Sequence, residues 1–455
     1  MSFARIAGAA LLLIALAAPA AAQDAPALTS VQMGPRAAPT APVQVASLPG
    51  MDTAPAFDAT RATDKYLARI SGAARAKSDA YFEGGYWLQL VDFVYGLVIA
   101  GLLLGLKLSD RLRDWAEERT RSRYGQTLIY VAAYFAIFVV AELPLSLYEG
   151  FFREHQYGLS NQNFAAWAGD FAINSAVSLV TMLIALPILY VVIRRTRETW
   201  WIWGSGLATL FLILQYALFP IFVAPLTNHY SPLPESPLKV SILSLAKAND
   251  IPVTNVYLVD ASRQSKRISA NVSGFLGTTR ISLNDNLLKQ CTPDEVLAVL
   301  GHEMGHYVMD HTTRLLLLLS LVYAGGFAFA HFGFRLLVDF FGGFWNVRRL
   351  DDVAGLPLLV ALASVYFFLM TPVTNTITRT TEQQADIFGV NAVRKPDAFA
   401  TVALKLSTYR KLEPGAWEEA IFFDHPSGRT RIQTMMTWKK EHIADPDIRD
   451  SAKLP

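Results

Sequence analysis

Long runs of apolar residues constrain this chain more than any other feature of its sequence. Six stretches carry little charge, and each has about the 20 residues that a helix needs to cross the hydrocarbon core of a bilayer. Only 17% of all residues are charged, against about 25% in ordinary soluble domains. A soluble fold would need an unusually large core to bury all six. The predicted spans are 87–106, 127–148, 171–193, 201–226, 315–334 and 354–373.

The N-terminus matches the three parts of a secretory signal peptide. Arg5 supplies the positive charge, residues 6–18 are apolar, and three alanines precede Gln23. We expect cleavage after Ala22, and the alternative is an uncleaved membrane anchor. Both place the following segment outside the cytoplasm. From there to about residue 57 the chain is rich in Ala, Pro, Thr and Gln without apolar periodicity, which is typical of an unfolded linker.

Lysines and arginines predict the orientation of the spans. They are concentrated in the loops after the first, third and fifth spans, and such loops usually face the cytoplasm. By alternation, residues 227–311 and the C-terminal part lie on the other side, which in a bacterial cell is the periplasm. The net charge of +2 gives no indication of a nucleic-acid partner. The basic residues are Lys107, Arg111, Arg113, Arg119, Arg121, Arg123, Arg194, Arg195, Arg197, Arg335, Arg348 and Arg349.

A helix beginning at Thr292 carries the clearest chemical motif. Thr292 with Glu295 forms a capping box, and Pro293 suits the first helical position. Four residues separate His302 from His306, so both imidazoles lie on one side and can bind one metal ion. Glu303 is displaced by about 100° around the axis and can reach a water on the same metal, as a general base does. The pattern H-E-x-x-H also occurs by chance.

The metal must be held by nitrogen and oxygen, since Cys291 is the only cysteine. Catalytic zinc sites usually have three protein ligands, and Glu382, in a plausible helix after the last span, is the candidate third ligand. Asp386, one turn later, could accept the outer N–H of a ligand histidine. Taken singly, both acids would more often be surface residues.

Asp424-His425-Pro426 and Arg431 form the last polar cluster. His425 could stabilise the oxyanion that forms when water attacks an amide carbonyl, and Arg431 could pair with an acid such as Asp386. A lone His-Pro pair is usually only a turn. The remaining histidines have no such partners and are interpreted as structural: His155, His229, His311, His331 and His442.

Three strand-like runs lie between the fourth span and the metal-binding helix, at 253–259, 268–273 and 280–284, after an amphipathic helix at 238–248. Gly274 and Gly277 indicate a turn between the last two. A sheet edge there could bind an extended peptide through its main chain, and the alternative is a plain structural hairpin. The candidate substrate-binding residues are Ser269, Ala270, Asn271, Val272 and Ser273.

Three motifs in order carry a family resemblance: His302-Glu-Met-Gly-His306, Arg379-Thr-Thr-Glu382-Gln-Gln-Ala-Asp386, and His425-Pro426 followed by Arg431. With two spans between the first and second motifs, they resemble the integral-membrane CAAX prenyl protease family, type I. The likeness extends over roughly residues 86–438. It includes Glu154-His-Gln-Tyr-Gly158, Pro232-Leu-Pro-Glu235, and Ser269-Ala-Asn-Val-Ser-Gly274 before Arg280.

The resemblance implies a gluzincin-type site and a wide chamber enclosed by the spans. In a gluzincin-type site, His302, His306 and Glu382 would bind one zinc ion and Glu303 would be the base. Asp386 would support a ligand, while His425 and Arg431 would assist at the oxyanion or with substrate. The substrate strand would be Ser269 to Ser273.

The chain departs from that family in span number and orientation. Eukaryotic members have seven spans and a site that faces the cytoplasm, whereas this chain shows six spans and the opposite charge distribution. A periplasmic site would not meet prenylated cytosolic proteins. We therefore expect an endopeptidase for membrane-associated or unfolded polypeptides. The alternatives are a true CAAX prenyl protease and a membrane chaperone in which zinc is only structural.

The predicted fold is mainly α-helical, a polytopic membrane bundle of about six spans joined to a zincin-like catalytic domain with a small β-sheet. Polypeptide substrates and the lipid bilayer are the expected partners, in the inner membrane of a bacterium. The predicted segments are a signal peptide (1–22), an extracytoplasmic linker and pre-membrane segment (23–86), four spans (87–226), the first catalytic part (227–311), a transmembrane hairpin (312–373), the second catalytic part (374–437) and a tail (438–455).

Overall fold

The computed structural model describes residues 57–273 and 279–451. The predicted signal peptide, most of the predicted linker, and the turn predicted at Gly274 and Gly277 lie outside these residues. The described α-helices of more than three residues are α1 (Ala59–Leu67), α2 (Gly72–Gly105), α3 (Leu108–Arg119), α4 (Arg123–Leu147), α5 (Phe164–Arg195), α6 (Trp200–Leu218), α7 (Pro237–Ala248), α8 (Asp285–Gln290), α9 (Pro293–Val308), α10 (His311–Trp345), α11 (Leu356–Val393), α12 (Pro396–Leu406), α13 (Ala416–Phe422), α14 (Gly428–Glu441) and α15 (Pro446–Ser451).

Six helical segments among the described residues are long and apolar enough to cross a membrane, which confirms the predicted number of spans. These segments are longer than the apolar runs, because hydropathy marks only the part that contacts lipid. In α11 the apolar run ends near residue 373, but the helix continues to Val393. The six segments are Gly72–Gly105, Arg123–Gln156, Phe164–Arg195, Trp200–Leu226, His311–Trp345 and Val353–Val393.

The core of the bundle is built from large side chains of these segments. Tyr130, Tyr190, Trp200 and Phe334 are almost completely buried in one hydrophobic cluster. The indole N–H of Trp200 donates to Nδ1 of His331 at 2.8 Å, so this histidine is structural, as expected. The cluster holds α4, α5, α6, α10 and α11 together as one packed unit.

The loops rich in lysine and arginine gather at one end of the bundle. The first of them contains a helix, α3, from which Arg113 pairs with Asp352 at 2.9 Å and Glu117 with Arg348 at 2.9 Å. Arg335 pairs with Glu198 at the same end. Since α11 begins here, its residue 382 lies about 40 Å away along the axis. The basic loops and the predicted metal site therefore occupy opposite ends of the bundle.

A four-stranded sheet lies at the metal-site end, in the order β1-β2-β4-β3. Its strands are β1 (Tyr230–Pro232), β2 (Val256–Val259), β3 (Ala270–Ser273) and β4 (Arg280–Asn284). β2 and β4 are parallel, and the two outer pairs are antiparallel. All three predicted strand runs are present, although the first two are shorter. The sequence does not predict β1, because a segment of three residues that ends in proline is not typical of a strand.

A further layer of helices, from distant parts of the sequence, packs against the predicted metal-binding helix. Leu67 of α1 packs with Phe399 of α12 and Met435 of α14 in a separate hydrophobic cluster. The predicted pre-membrane segment thus includes a helix that joins the C-terminal part of the chain. Packing within this layer positions α14 so that Arg431 lies at the predicted metal site.

Candidate active site

The predicted metal-binding helix, α9, begins as its sequence indicates. The Thr292 hydroxyl accepts a hydrogen bond from the Glu295 N–H at 3.3 Å, and the Glu295 carboxylate accepts one from the Thr292 N–H at 2.7 Å. Val296, Leu300 and Met304 then face the sheet in one hydrophobic cluster. The cap and this apolar face fix the direction in which His302 and His306 project.

Glycines allow α9 and α11 to approach closely. A Cβ atom on Gly305 would lie 3.1 Å from the Cα of Ala385, and one on Gly389 would lie 2.8 Å from the backbone nitrogen of His302. Any larger residue would force the two helices apart. The close packing places the polar side chains of α11 against the two histidines of α9.

Three donors converge from the two helices and fit one metal ion. The Nε2 atoms of His302 and His306 are 3.2 Å apart, and they lie 3.1 and 3.5 Å from the nearer carboxylate oxygens of Glu382. Donors bonded to one zinc ion at about 2.0–2.1 Å in a tetrahedral arrangement are separated by about 3.3 Å. The three side chains are buried, and this nitrogen and oxygen set suits zinc.

The outer nitrogens of both histidines also have partners. Nδ1 of His302 lies 2.9 Å from Oδ1 of Asp386, and Nε of Arg431 donates to the other oxygen of that carboxylate at 2.8 Å. Nδ1 of His306 lies 3.0 Å from Nδ1 of His311, the first residue of α10. The contacts of Asp386 are those expected from the sequence. The sequence does not predict the contact of His311 with His306, since it indicates only a structural role for His311.

His425 also reaches this cluster, from the loop after α13. Its Nε2 lies 3.3 Å from Oε2 of Glu382, and its Nδ1 lies 2.8 Å from Oδ1 of Asp424. Asp424 was part of the predicted cluster without a role of its own. Its hydrogen bond orients the imidazole so that Nε2 faces the donors of the metal site.

Glu303 and strand β3 are the remaining predicted parts of the site. The Glu303 side chain is buried beside its neighbour His302 on α9. β3 is the last strand of the sheet, and Ala270 and Val272 pack in the same cluster as Val296 of α9. The predicted substrate strand therefore lies next to the metal-binding helix.

The surroundings shift the pKa values of the two histidines in opposite directions. Burial acts to lower the pKa of His302, but hydrogen bonds to Asp386 and Glu382 outweigh it and raise the value to about 9. Burial lowers the pKa of His306 to about 3. Metal ions bind neutral imidazole, so binding of a metal to His302 would be coupled to release of a proton.

We expect Asp386→Asn to lower metal affinity about 10- to 100-fold, because the carboxylate orients His302 and increases its basicity. A competition titration of the purified protein with a zinc chelator would measure the effect. Asp445→Asn is a matched control, since Asp445 pairs with Arg394 at 2.7 Å on the exposed surface. Equal affinities in the two variants would show that Asp386 does not support the ligand.

Comparisons with known proteins match two successive parts of the chain. Residues 58–229 match the family model described as CAAX prenyl protease N-terminal, five membrane helices, and residues 232–439 match peptidase family M48. Four of the six candidate spans lie in the first part.

Two curated relatives and one solved structure show how far the similarity extends. An uncharacterized metalloprotease of Bacillus subtilis, YhfN, is 30% identical over 77% of this chain and 82% of its own length. The human CAAX prenyl protease 1 homolog is 25% identical over 78% and 83%. The crystal structure of S. mikatae Ste24p has a TM-score of 0.67 at 20% identity and covers 83% of this chain and 94% of that one.

Proposed function

This chain belongs to peptidase family M48 as a membrane-embedded metalloprotease, and we propose that it is a zinc endopeptidase in which Glu303 is the general base. The observation that carries the proposal is the convergence of His302, His306 and Glu382 at distances that suit one tetrahedral zinc ion. Glu303 lies on the same helix as the two histidines and is also buried.

His302, His306 and Glu382 would hold the zinc, with Asp386 and His311 behind the two imidazoles. When bound, zinc polarises the scissile carbonyl and lowers the pKa of water at the site to about 7. The Glu303 carboxylate accepts a proton from the attacking water and passes it to the leaving amine. His425, oriented by Asp424, directs Nε2 to the place where the oxyanion forms and donates to it when protonated.

The two edges of the sheet differ in a way that supports β3 as the substrate strand. Paired residues in antiparallel strands alternate between hydrogen-bonded and non-bonded positions. Since the Asn284 N–H donates to the Ser269 carbonyl, the N–H groups of Ala270 and Val272 point away from β4. On the opposite edge the outward positions of β1 are Tyr230 and Pro232, and Pro232 has no N–H. β3 therefore offers two outward donors to an added strand, whereas β1 offers one.

We expect Ala270→Pro to raise the KM for a long peptide about 2- to 10-fold, because one main-chain hydrogen bond contributes about 0.5–1.5 kcal/mol. The kcat should change little, since proline at an outward position leaves the pairing with β4 intact. Steady-state kinetics with one peptide would measure both. Ala270→Gly retains the N–H and is the control; a KM that is the same in both variants would exclude binding along this edge.

We propose that the site faces the periplasm of a bacterial cell, with residues 1–22 acting as a signal peptide. The gathering of the basic loops at the opposite end of the bundle supports this orientation through the positive-inside rule. Reporter fusions at the loop of residues 346–352 and at the C-terminus would test it. The proposal requires the first to report the cytoplasm and the second the periplasm.

Membrane-associated or unfolded polypeptides are the proposed substrates. A peptide that binds along β3 must be extended and is recognised through its main chain, so folded domains are excluded. The names of the curated relatives support a second candidate, a CAAX prenyl protease. Cleavage of matched peptides with and without a farnesylated cysteine, by the purified protein in detergent, separates the two. Glu303→Gln provides the blank.

Cleavage of both peptides would support the broad endopeptidase. Cleavage of the farnesylated peptide alone would overturn it in favour of CAAX processing, and it would also count against the periplasmic orientation. Cleavage that is unchanged in Glu303→Gln would exclude Glu303 as the base under either reading.

A further inference from the structure

The short helix α13, which leads into the His425 loop, turns an apolar side outward. Trp417 is 82% exposed and Ile421, one turn later on the same side, is 36% exposed. The opposite side is tied to the protein: Glu418 pairs with Lys411 at 2.8 Å, and Glu419 accepts a hydrogen bond from the Ser427 N–H at 2.8 Å. α13 is therefore fixed by its acidic residues while its largest apolar side chain contacts no core.

The level of α13 along the bundle follows from its contacts with α2. Phe422 stacks on Tyr86 with ring centroids 4.1 Å apart, and the Tyr86 hydroxyl donates to Glu418 at 2.9 Å. Three residues further along α2, Gln89 donates to Thr371 of α11 at 3.1 Å. α13 thus lies about one helical turn beyond the point where α2 and α11 pack directly.

On α11, α13 occupies the region just after the apolar run. The Asn375 side chain donates to the Ile421 carbonyl at 2.8 Å, and Arg379 donates to the Glu419 carbonyl at 2.9 Å. The predicted span ends at residue 373. α13 therefore sits where α11 changes from apolar to polar sequence.

Exposed apolar side chains of α2 indicate where this level lies relative to the membrane. Trp87, Val91, Val94 and Val98 are all exposed at helical spacing, which is the pattern of a lipid-facing stripe. From Trp87 to Leu106 the helix rises about 29 Å, close to the hydrocarbon thickness of about 30 Å. Trp87 would then lie at the membrane interface, where tryptophan is enriched. It directly follows Tyr86, on which α13 packs.

We propose that Trp417 and Ile421, together with Trp87, form an interfacial face that inserts into the boundary between headgroups and acyl chains of the leaflet on the active-site side. The occupant is lipid, because Trp417 and Ile421 are exposed at the level of Trp87, where the lipid-facing stripe of α2 begins. A Trp side chain suits that boundary, since its ring is apolar and its N–H can bond to headgroups or water.

Lipid contact at α13 has a consequence for catalysis that rests on the proposed function. His425 follows Phe422 by three residues, so the interfacial face fixes the His425 loop at the bilayer surface. The site would then act most readily on polypeptide segments that lie close to the membrane. The lipid contact itself does not depend on any peptidase activity.

Spin-label accessibility in lipid nanodiscs of one protein each tests the contact. Cys291→Ser removes the only cysteine, and a nitroxide is attached at Trp417→Cys. Val94→Cys on the stripe and Lys440→Cys on the exposed end of α14 are the membrane and water references. We expect the ratio of oxygen to nickel-chelate accessibility at 417 to lie between the two references. A ratio equal to that at 440 would overturn the proposal.

Tryptophan quenching provides a second measurement without any cysteine variant. The difference in emission between the wild-type protein and Trp417→Phe isolates one of the nine tryptophans. We expect quenching of this difference by lipids brominated near the top of the acyl chain and a loss of quenching by iodide on reconstitution. Quenching by iodide alone would overturn the proposal. Quenching by neither reagent, the result expected if Trp417 contacts a second copy of the chain, would also overturn it. Neither readout uses cleavage, so its failure is distinct from failure of the proposed function.

Discussion

Glu303→Gln is expected to lower kcat for peptide cleavage by about 10²- to 10⁴-fold, the contribution typical of a general base, while metal content stays at one per chain. The amide keeps the size and burial of the side chain but cannot accept the proton of the attacking water. The three proposed ligands on α9 and α11 are untouched. Steady-state cleavage and elemental analysis of the same preparation would measure the two quantities.

Asp294→Asn is the matched control for this variant, because it removes a carboxylate from the exposed start of the same helix, where Asp294 pairs with Lys395 at 3.3 Å. The control should keep wild-type kcat. Wild-type turnover in Glu303→Gln would reject the base, and a loss of bound metal would show that Glu303 has a ligand role instead.

Glu382→Ala is expected to remove both bound metal and activity. Two imidazoles remain, and a catalytic zinc site normally needs three protein ligands. The loss of metal affinity should exceed the 10- to 100-fold that removal of an outer partner costs. The variant also leaves the Nε2 atoms of His302 and His425 without their carboxylate partner in a buried site.

Gln383→Ala controls for the substitution itself, since Gln383 is the next residue of α11 and is exposed. Metal titration and cleavage should match the wild-type protein there. A Glu382→Ala protein that binds zinc with unchanged affinity would require a different third ligand. Together with Glu303→Gln, the variant separates metal binding from proton transfer, because only one of the two should lose the metal.

Much of the membrane architecture could be predicted from local sequence. Each apolar run lies within one of the six helical segments, to within a residue, because a bilayer leaves the backbone no alternative to internal hydrogen bonds. The runs did not show how far the helices extend. α11 reaches Val393 and α10 begins at His311, since packing against neighbouring helices stabilises these polar turns outside the apolar region.

The candidate site was predictable where it depends on spacing along one helix. The capping box of α9, the pair His302 and His306, and the relation of Glu382 to Asp386 all follow from helical periodicity. The partner of His306 was not predictable in this way. His311 begins the next helix, and only the sharp turn at Asp310, with a φ of 50°, brings its ring back to α9.

By itself, the sequence determined the number of spans, the faces of α9 and α11, and the residue types available to a metal ion. These follow from hydrophobicity and from the 3.6-residue period, which act within a few turns of the chain. The tertiary structure alone decided that α9 and α11 approach closely enough for His302, His306 and Glu382 to share one centre. That approach depends on Gly305 and Gly389 facing another helix, and no local rule states which helix it will be.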